Sequence, residues 1–337
     1  MISKKAIIFI GYRIILYIAT IFVALVINFL IPRLVPGSPI NIILAQLSYH
    51  GQNIGMDELV IEYKRMFGLD KDLWTQFILY LKELFKGNLG YSIVNFPSTV
   101  SEIILPFIPW TIGLLSVTVI ISWTLGNLLG AIVGWKGVKS KIGNTLIAIP
   151  LVLGTIPYYL LAIILVFVFG YLLAWFPLTG GYSAGIKIAF SLEFITSVIY
   201  HSILPALSII LSSLGWWFLG ARSLMVTIKG EDYILMAEAK GLPERKILWK
   251  YGFRNCMLPQ VTGLALSLGN IMGGALLTEM VFTYPGIGWR LYNAIVTSDY
   301  PVIQGIILII TICICTATLI LDLIYPLIDP RARSGSE

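Results

Sequence analysis

Residue types that bind metals or act as nucleophiles are few in this sequence and do not cluster. Its three cysteines include Cys313 and Cys315, which would point about 200° apart on a helix and so cannot form a disulfide. Cys256 stands apart from them, and the two histidines are His50 and His201. The sequence contains no Cys/His spacing typical of zinc and no G-x-x-x-x-G-K-S/T loop for nucleotide phosphates. We therefore predict no catalytic residue, no metal site and no cofactor site in this chain.

The composition indicates a protein that folds in lipid. Of the 337 residues, 58% are hydrophobic and 12% are charged, whereas a soluble domain has about 45–50% apolar and about 25% charged residues. This balance excludes an ordinary water-soluble enzyme, and it also excludes a disordered chain, which would be poor in apolar residues. The net charge of +6 does not indicate a nucleic-acid partner, because the basic residues follow the membrane topology.

Six apolar stretches lack Asp, Glu, Lys and Arg, and each can hold one helix of about 20 residues that crosses a bilayer. They are 14–32, 103–135, 142–186, 194–221, 255–278 and 300–321. Only one crossing is assigned to 142–186, because its last part contains the loop-forming residues Pro177, Gly180 and Gly181. The first stretch is not read as a secretory signal, since it is too long and no small-x-small cleavage site follows it.

The distribution of Lys and Arg predicts that both termini lie in the cytoplasm. The predicted inner segments contain 2, 3, 6 and 2 of these residues, and they are about 1–8, 135–141, 226–258 and 327–337. The two short outer loops, about 173–202 and 281–300, contain one each. The predicted fold class is therefore an all-α polytopic membrane protein with six transmembrane helices, N-in and C-in, and an extracellular segment after the first helix.

Four parts follow from this topology. They are the N-terminus and first transmembrane helix (1–31), the extracellular segment (32–102), a five-helix core with the cytoplasmic loop 226–258 (103–330), and a cytoplasmic tail (331–337). Within the extracellular segment, Leu73, Phe77, Leu81 and Phe85 recur every four residues. We expect a helix there that lies on the membrane surface or on the helix bundle. It either caps the bundle or helps to receive a partner.

Small residues and isolated charges leave alternatives open. Glycines four residues apart allow close helix packing, either within the chain or with a second membrane subunit; they are Gly126, Gly130, Gly134, Gly269 and Gly273. Three ionisable residues near the ends of apolar runs either reach the interface or belong to a substrate path; they are Arg222, Glu279 and Asp322.

The cytoplasmic loop 226–258 is the most informative segment. From position 231 it reads EDYILMAEAKGLPERKILWKYGFRN. Glu231 and Asp232 suit the first turn of a helix, Gly241 suits its end, and Pro243 suits the start of the next helix. We expect two short helices with a Gly-Leu-Pro corner, which form either a docking surface for another protein or a simple connection.

These residues resemble the coupling segment of ABC-importer permeases of the dipeptide/oligopeptide/nickel branch. The branch pattern is roughly A-x-A-K-G-L followed by R-N-x-x-L-P, and this chain carries it as Ala237, Ala239, Lys240, Gly241 and Leu242, then Arg254, Asn255, Leu258 and Pro259. The wider importer signature has a Glu six residues before the Gly. This chain has Leu235 there, so no role is transferred to that position.

Further motifs in the same order extend the resemblance over nearly the whole chain. They are PGSP (36–39), FGLD (67–70), GNLG (87–90) with Ser92, HSILP (201–205), GGALLTEMVFTYPGIG (273–288), DYPVIQG (299–305), Asp322 and DPR (329–331). The chain is thus identified as a member of this branch.

The resemblance implies a type I importer permease fold in a prokaryotic cell membrane. This subunit would form half of a pathway for peptides and would not itself be an enzyme. It implies four kinds of partner besides the lipid bilayer: a second homologous permease subunit, two ATP-binding subunits that bind ATP and Mg, and an extracellular solute-binding protein. It also implies coupling to the ATPases through Glu231, Asp232, Ala237, Glu238, Ala239, Lys240, Gly241 and Leu242.

Three alternatives remain at this point. An importer of oligosaccharides or other solutes would use the same architecture. A stand-alone secondary carrier is disfavoured because no chain of Asp, Glu or His lies in the middle of the membrane stretches. A membrane-embedded enzyme would need a nucleophile or a metal constellation, and the sequence contains neither.

Overall fold

A computed structural model of the chain describes residues 4–34, 71–137, 141–269 and 276–328. In these ranges the regular structure is helical, apart from one isolated bridge between Tyr91 and Thr99. The motifs at 36–39, 67–70 and 329–331, the glycine at 273 and the tail 331–337 lie outside the described residues.

The helices, numbered in chain order, include two short π-helical turns that continue α6 and α9. They are α1 (Lys4–Leu34), α2 (Leu73–Phe85), α3 (Val100–Ile104), a 3₁₀ turn (Leu105–Phe107), α4 (Ile108–Lys136), α5 (Lys141–Thr155), α6 (Tyr158–Leu165) with a π turn (Val166–Leu172), α7 (Leu192–Lys229), α8 (Asp232–Ala239), α9 (Glu244–Lys246) with a π turn (Ile247–Phe253), α10 (Arg254–Gly269), α11 (Leu276–Val281), α12 (Ile287–Val296) and α13 (Tyr300–Ile328).

Four described helical segments are long and apolar enough to cross a membrane, and the number is five if a bent pair is counted as one span. The four are Ile10–Leu34, Val100–Lys136, Leu192–Lys229 and Tyr300–Ile320, and the pair is Ile147–Thr155 with Tyr158–Leu172, bent by 100°. Pro157 stands at the bend, where its missing N–H and fixed φ interrupt the helix. The four segments and the bent pair fall on five of the six predicted stretches, and the described residues confirm a helical, multi-pass protein. The sixth stretch, 255–278, includes residues outside the described ranges.

The chain divides into two compact units, and each is described by itself. The first comprises Met1–Pro109 and Arg290–Leu319, and the second comprises Trp110–Trp289 and Ile320–Glu337.

In the first unit, polar side chains join α1 to α13. Asn28 is 3% exposed, and its side-chain amide donates to the backbone carbonyl oxygen of Gln304 at 2.9 Å. The side-chain amide of Gln304 donates in return to the backbone carbonyl oxygen of Asn28 at 2.7 Å. The carboxylate of Asp299, just before α13, accepts hydrogen bonds from the Ser92 hydroxyl and from the Ile93 N–H. The buried side chains of Asn28, Ser92 and Asp299 are therefore paired, as the low dielectric of the interior favours.

In the second unit, the glycine stripe of α4 packs against α7. A Cβ at Gly126 would lie 2.5 Å from Trp217 Cβ, and one at Gly130 would lie 2.3 Å from the Phe218 carbonyl oxygen. A Cβ at Gly134 would lie 2.7 Å from the carbonyl oxygen of Arg222. The structure therefore favours packing within one chain for these three glycines, because their faces are already filled.

The side chain of Glu279 corrects one expectation. It is 1% exposed, so it is enclosed by protein and does not extend to the surface of the molecule. Its carboxylate accepts hydrogen bonds from the Thr111 hydroxyl at 2.7 Å and from the Gly288 N–H at 2.6 Å, and Thr111 in turn accepts from the Ile287 N–H at 2.8 Å. Glu279 thus caps the start of α12, where unpaired N–H groups favour a negative charge. A Cβ at Gly286 would lie 2.2 Å from the carboxyl carbon, so a side chain there would displace the carboxylate from this position.

Candidate functional site

The helix α8, at the centre of the 226–258 segment, ends in a Schellman motif. The Gly241 N–H donates to the Glu238 carbonyl oxygen at 2.8 Å, and the Leu242 N–H donates to the Ala237 carbonyl oxygen at 3.3 Å. Gly241 has a φ of +68°, which favours glycine. At the other end Asp232 lies in the first turn, as predicted. The Gly-Leu-Pro corner is therefore confirmed.

The helix after the corner is longer than predicted. It begins at Glu244 after Pro243 and runs through the π turn Ile247–Phe253 into α10 without a break. The expectation of two short helices is therefore wrong for the second one. Its apolar residues Ile247 and Leu248 are buried in the apolar core of the second unit. The helix therefore continues along that core rather than ending in solvent.

One face of α8 is buried in the protein. Ile234 and Ala237, which are 0% and 4% exposed, pack in one apolar cluster with residues of α4, α7 and the helix after the corner. The other members of this cluster are Ala131, Trp135, Ala221, Met225, Ile247, Leu248 and Cys256. Burial of one large aliphatic side chain stabilises by about 1.5–3 kcal/mol. These contacts hold α8 in a defined position on α4 and α7.

A polar frame beside this cluster joins three chain segments around Trp135. Its indole N–H donates to the Glu244 carboxylate at 3.1 Å, and its carbonyl oxygen accepts from the Lys229 ammonium at 2.9 Å. The same ammonium lies 5.5 Å from the centre of the Trp135 ring. Lys229 thus binds a carbonyl at the end of α4, where a positive charge is favourable. We call Trp135, Lys229 and Glu244 the Trp135 frame.

The opposite face of α8 is exposed and carries mainly apolar side chains, with Asp232 at its start. Tyr233, Leu235 and Met236 are 37%, 53% and 60% exposed, and Ala239 is exposed beside them. We call these four residues the exposed face of α8. A rigid helix that presents a row of apolar side chains can bind a groove on another protein.

The predicted site residues are divided between the two faces. Six of them are exposed, namely Glu231, Asp232, Glu238, Ala239, Lys240 and Gly241. Leu242 is partly buried and contacts the apolar cluster, while Ala237 is buried in it. Ala237 therefore supports α8 from the inside, and its size matters for packing within this chain.

Several residues of this site could not be found from the sequence. Ile234 is recognisable afterwards, because it stands three residues before Ala237 and so shares its face. The Trp135 frame gave no signal, since Trp135 and Glu244 are 109 positions apart. Among the described residues, no group of three or more His, Cys, Asp or Glu lies close enough to bind a metal.

Comparison with known proteins places these features in a known group. Residues 126–334 match the family of binding-protein-dependent transport system inner membrane components. The di/tripeptide transport system permease protein DppB of Pseudomonas aeruginosa is 31% identical over 339 residues, covering 96% of this chain and 98% of the relative. The oligopeptide transport system permease protein AppB of Bacillus subtilis is 30% identical over 308 residues, covering 91% and 93%. The glutathione transport system permease protein GsiC of Pectobacterium atrosepticum is 31% identical over 321 residues, covering 94% and 95%.

Proposed function

Because this chain belongs to the inner membrane components of binding-protein-dependent transport systems, we propose that it forms half of the pathway of an ATP-driven peptide importer. A second homologous permease subunit forms the other half. Two ATP-binding subunits bind ATP and Mg, and an extracellular solute-binding protein delivers the cargo. The chain itself acts as gate and lever, with no covalent chemistry assigned to its residues.

Peptide is the proposed cargo because three relatives of this chain are named for peptide transport. Their names specify di- and tripeptides, oligopeptides and glutathione, and each relative is matched over more than nine tenths of its length. Oligosaccharide import would need the same architecture, but no such name supports it among these three relatives.

The proposed topology has six crossings with both termini in the cytoplasm. The sixth crossing is the apolar stretch 255–278, and the 226–258 segment then faces the cytoplasm. The positive-inside distribution of Lys and Arg supports this orientation.

The exposed face of α8 is the proposed contact with an ATP-binding subunit. The observation that carries this proposal is that α8 is fixed on one side by Ile234 and Ala237, while its other side presents apolar residues. A load applied to the exposed face passes through the buried cluster to α4 and α7, and along the chain to α10. Closing of the ATPases on ATP thereby moves the helices that border the pathway.

The test is a charge on the exposed face. Met236→Glu places a carboxylate in the proposed contact without disturbing the buried cluster, because Met236 is 60% exposed. Ala184→Glu, at an exposed position in the loop after α6, is the control. Both variants are purified with the full set of subunits, and co-purified ATPase, peptide-stimulated ATP hydrolysis and uptake into proteoliposomes are measured.

We expect Met236→Glu to lose ATPase subunits and uptake while the control retains both. An intact complex with normal uptake in Met236→Glu would show that α8 does not couple the two parts.

A further inference from the structure

The helix α2 in the first unit has two apolar faces. It runs from Leu73 to Phe85 and is capped by Asp72, whose carboxylate accepts a hydrogen bond from the Thr75 N–H at 3.0 Å. The first face packs on α1. The Phe77 ring lies 5.1 Å from the Phe29 ring and 6.5 Å from the Phe22 ring, centre to centre.

Further contacts fix α2 along the last turns of α1. The Tyr80 ring lies 5.6 Å from the Phe29 ring, and the Arg33 guanidinium donates to the Gln76 side-chain oxygen at 2.8 and 3.1 Å. Phe22 and Arg33 are separated by about 16 Å along a helix that rises 1.5 Å per residue. The helix α2 therefore lies beside this part of α1 and not beyond its end.

These contacts give α2 a depth in the membrane. Phe22 and Phe29 belong to the segment Ile10–Leu34, which is long and apolar enough to cross a bilayer. A helix that touches both rings lies at the level of the hydrocarbon and its interface with the headgroups. Its remaining surface at that level faces either lipid or another protein.

The second face of α2 is a narrow apolar stripe that is largely exposed among the described residues. Trp74, Ile78 and Phe85 are 70%, 50% and 89% exposed, and Leu81 lies between them. At 100° per residue these four side chains fall within an arc of about 60°. We call them the exposed stripe of α2. The four-residue repeat that predicted this helix was thus divided, since Phe77 turned to α1 and Phe85 to the outside.

Charged and aromatic residues on α2 match the chemistry of a phospholipid surface. Lys82 is exposed next to the stripe, Lys71 precedes the helix, and Lys86 follows it. Lys86 also pairs with Glu83 at 2.6 Å. Lysines beside an apolar face extend to lipid phosphates, and tryptophan is enriched at the membrane interface. Amphipathic helices of this kind lie in the plane of the interface.

We propose that the exposed stripe of α2 inserts into the lipid leaflet at the Arg33 end of α1, with Lys71 and Lys82 at the phosphates. This is the outer leaflet in the proposed orientation, and only the name of the leaflet depends on that orientation. The phospholipid bilayer is the partner of this surface. The extracellular segment thereby anchors the chain laterally, and a solute-binding protein arriving from water does not reach the stripe.

The experiment measures what surrounds each side of the helix. Single cysteines replace Trp74, Ile78 and Phe85 in a full chain whose native cysteines are changed to serine or alanine, and Asn88→Cys is the exposed control. The labelled chain, assembled with its companion subunits, is placed in nanodiscs of phosphatidylethanolamine and phosphatidylglycerol. Collision of the spin labels with oxygen, which concentrates in lipid, is compared with collision with a water-soluble nickel chelate.

We expect oxygen to dominate at the three stripe positions and the nickel chelate to dominate at Asn88→Cys. Dominance of the nickel chelate at the stripe would place it in water and overturn the proposal. Protection from both reagents in the assembly would instead assign the stripe to a protein partner and overturn it equally. None of these outcomes depends on transport, so they are separate from the test of α8.

The contact of Lys71 and Lys82 with lipid phosphates is tested in a separate experiment. Native mass spectrometry of the full chain counts the phosphatidylglycerol molecules that stay bound, and Lys71→Gln with Lys82→Gln is compared with the unchanged protein. We expect the double variant to retain at least one lipid fewer. Equal retention would remove the lysine–phosphate contact from the proposal.

Discussion

Removal of one buried and one exposed aliphatic side chain from α8 separates its two proposed roles. Ile234 is 0% exposed, whereas its neighbour Leu235 is 53% exposed. Ile234→Ala leaves a cavity in the cluster that holds α8 and costs about 2–5 kcal/mol. Leu235→Ala removes a similar group from the surface and changes stability by about 0.5 kcal/mol or less.

These energies convert into a measurable opening of α8. Each 1.4 kcal/mol is a factor of ten, so the lower limit for Ile234→Ala raises the detached population about 30-fold. Amide hydrogen exchange in full-length chain in nanodiscs reports this opening directly. We expect exchange in Asp232–Ala239 to accelerate about 30-fold or more in Ile234→Ala and to stay near the original rate in Leu235→Ala.

Binding of the ATP-binding subunits should depend directly on Leu235, which belongs to the exposed face of α8. Leu235→Ala removes part of the exposed face, so the ATP-binding subunits should dissociate several-fold faster, as for a contact residue at an interface. If Leu235→Ala accelerates exchange as much as Ile234→Ala, or if Ile234→Ala leaves exchange unchanged, the assignment of the two faces is refuted.

Three further predictions concern positions where the geometry is equally specific. Gly130→Val should destabilise the folded chain by about 1–3 kcal/mol or more, because its Cβ would lie 2.3 Å from the Phe218 carbonyl oxygen. Gly113→Ala on the same helix should be tolerated, because its Cβ would meet nothing within 4 Å. Thermal unfolding in detergent compares the two. Glu279→Ala should lower the unfolding temperature more than Glu279→Gln, since the amide keeps an acceptor for the buried donors, each of which costs about 1–3 kcal/mol when unpaired; equal losses would contradict the capping role. Gly241→Val should reduce uptake and Gly241→Asn much less, because the left-handed conformation and not the surrounding space restricts this position; equal uptake would show that the corner tolerates strain.

Local features of this fold could be predicted from the sequence, because their physical cause lies within a few residues. The end of α8 at Gly241 and the restart after Pro243 depend only on neighbouring backbone geometry. The apolar stretches that cross the bilayer are similarly local, since length and hydrophobicity decide them.

Pairings between distant segments could not be predicted. The glycine stripe of α4 indicated close packing, but it did not identify α7 as the partner. The carboxylate of Glu279 accepts a hydrogen bond from the Thr111 hydroxyl, 168 positions away in the sequence. The sequence therefore did not indicate that Glu279 is buried. The four-residue repeat in α2 indicated an apolar face, but the rings of α1 decide which residues turn inward.

The candidate site shows the same division. Most of its predicted residues are exposed on α8 or directly at its ends, as a contact surface requires. Ala237 and the Trp135 frame instead serve the packing that fixes the helix. No pattern in the sequence distinguishes an alanine that meets a partner from one that supports the helix beneath it.

The most direct test of the account places a single cysteine at Met236 in a chain without its native cysteines. A thiol reagent that does not cross membranes is applied to intact cells and to inverted vesicles, and cross-linking to the ATP-binding subunits is followed with and without ATP. We predict labelling in inverted vesicles only, together with a cross-link to an ATP-binding subunit whose yield changes with ATP. Labelling of intact cells, or the absence of any cross-link in an assembled and active transporter, would contradict the central claim that α8 couples the pathway to its ATPases.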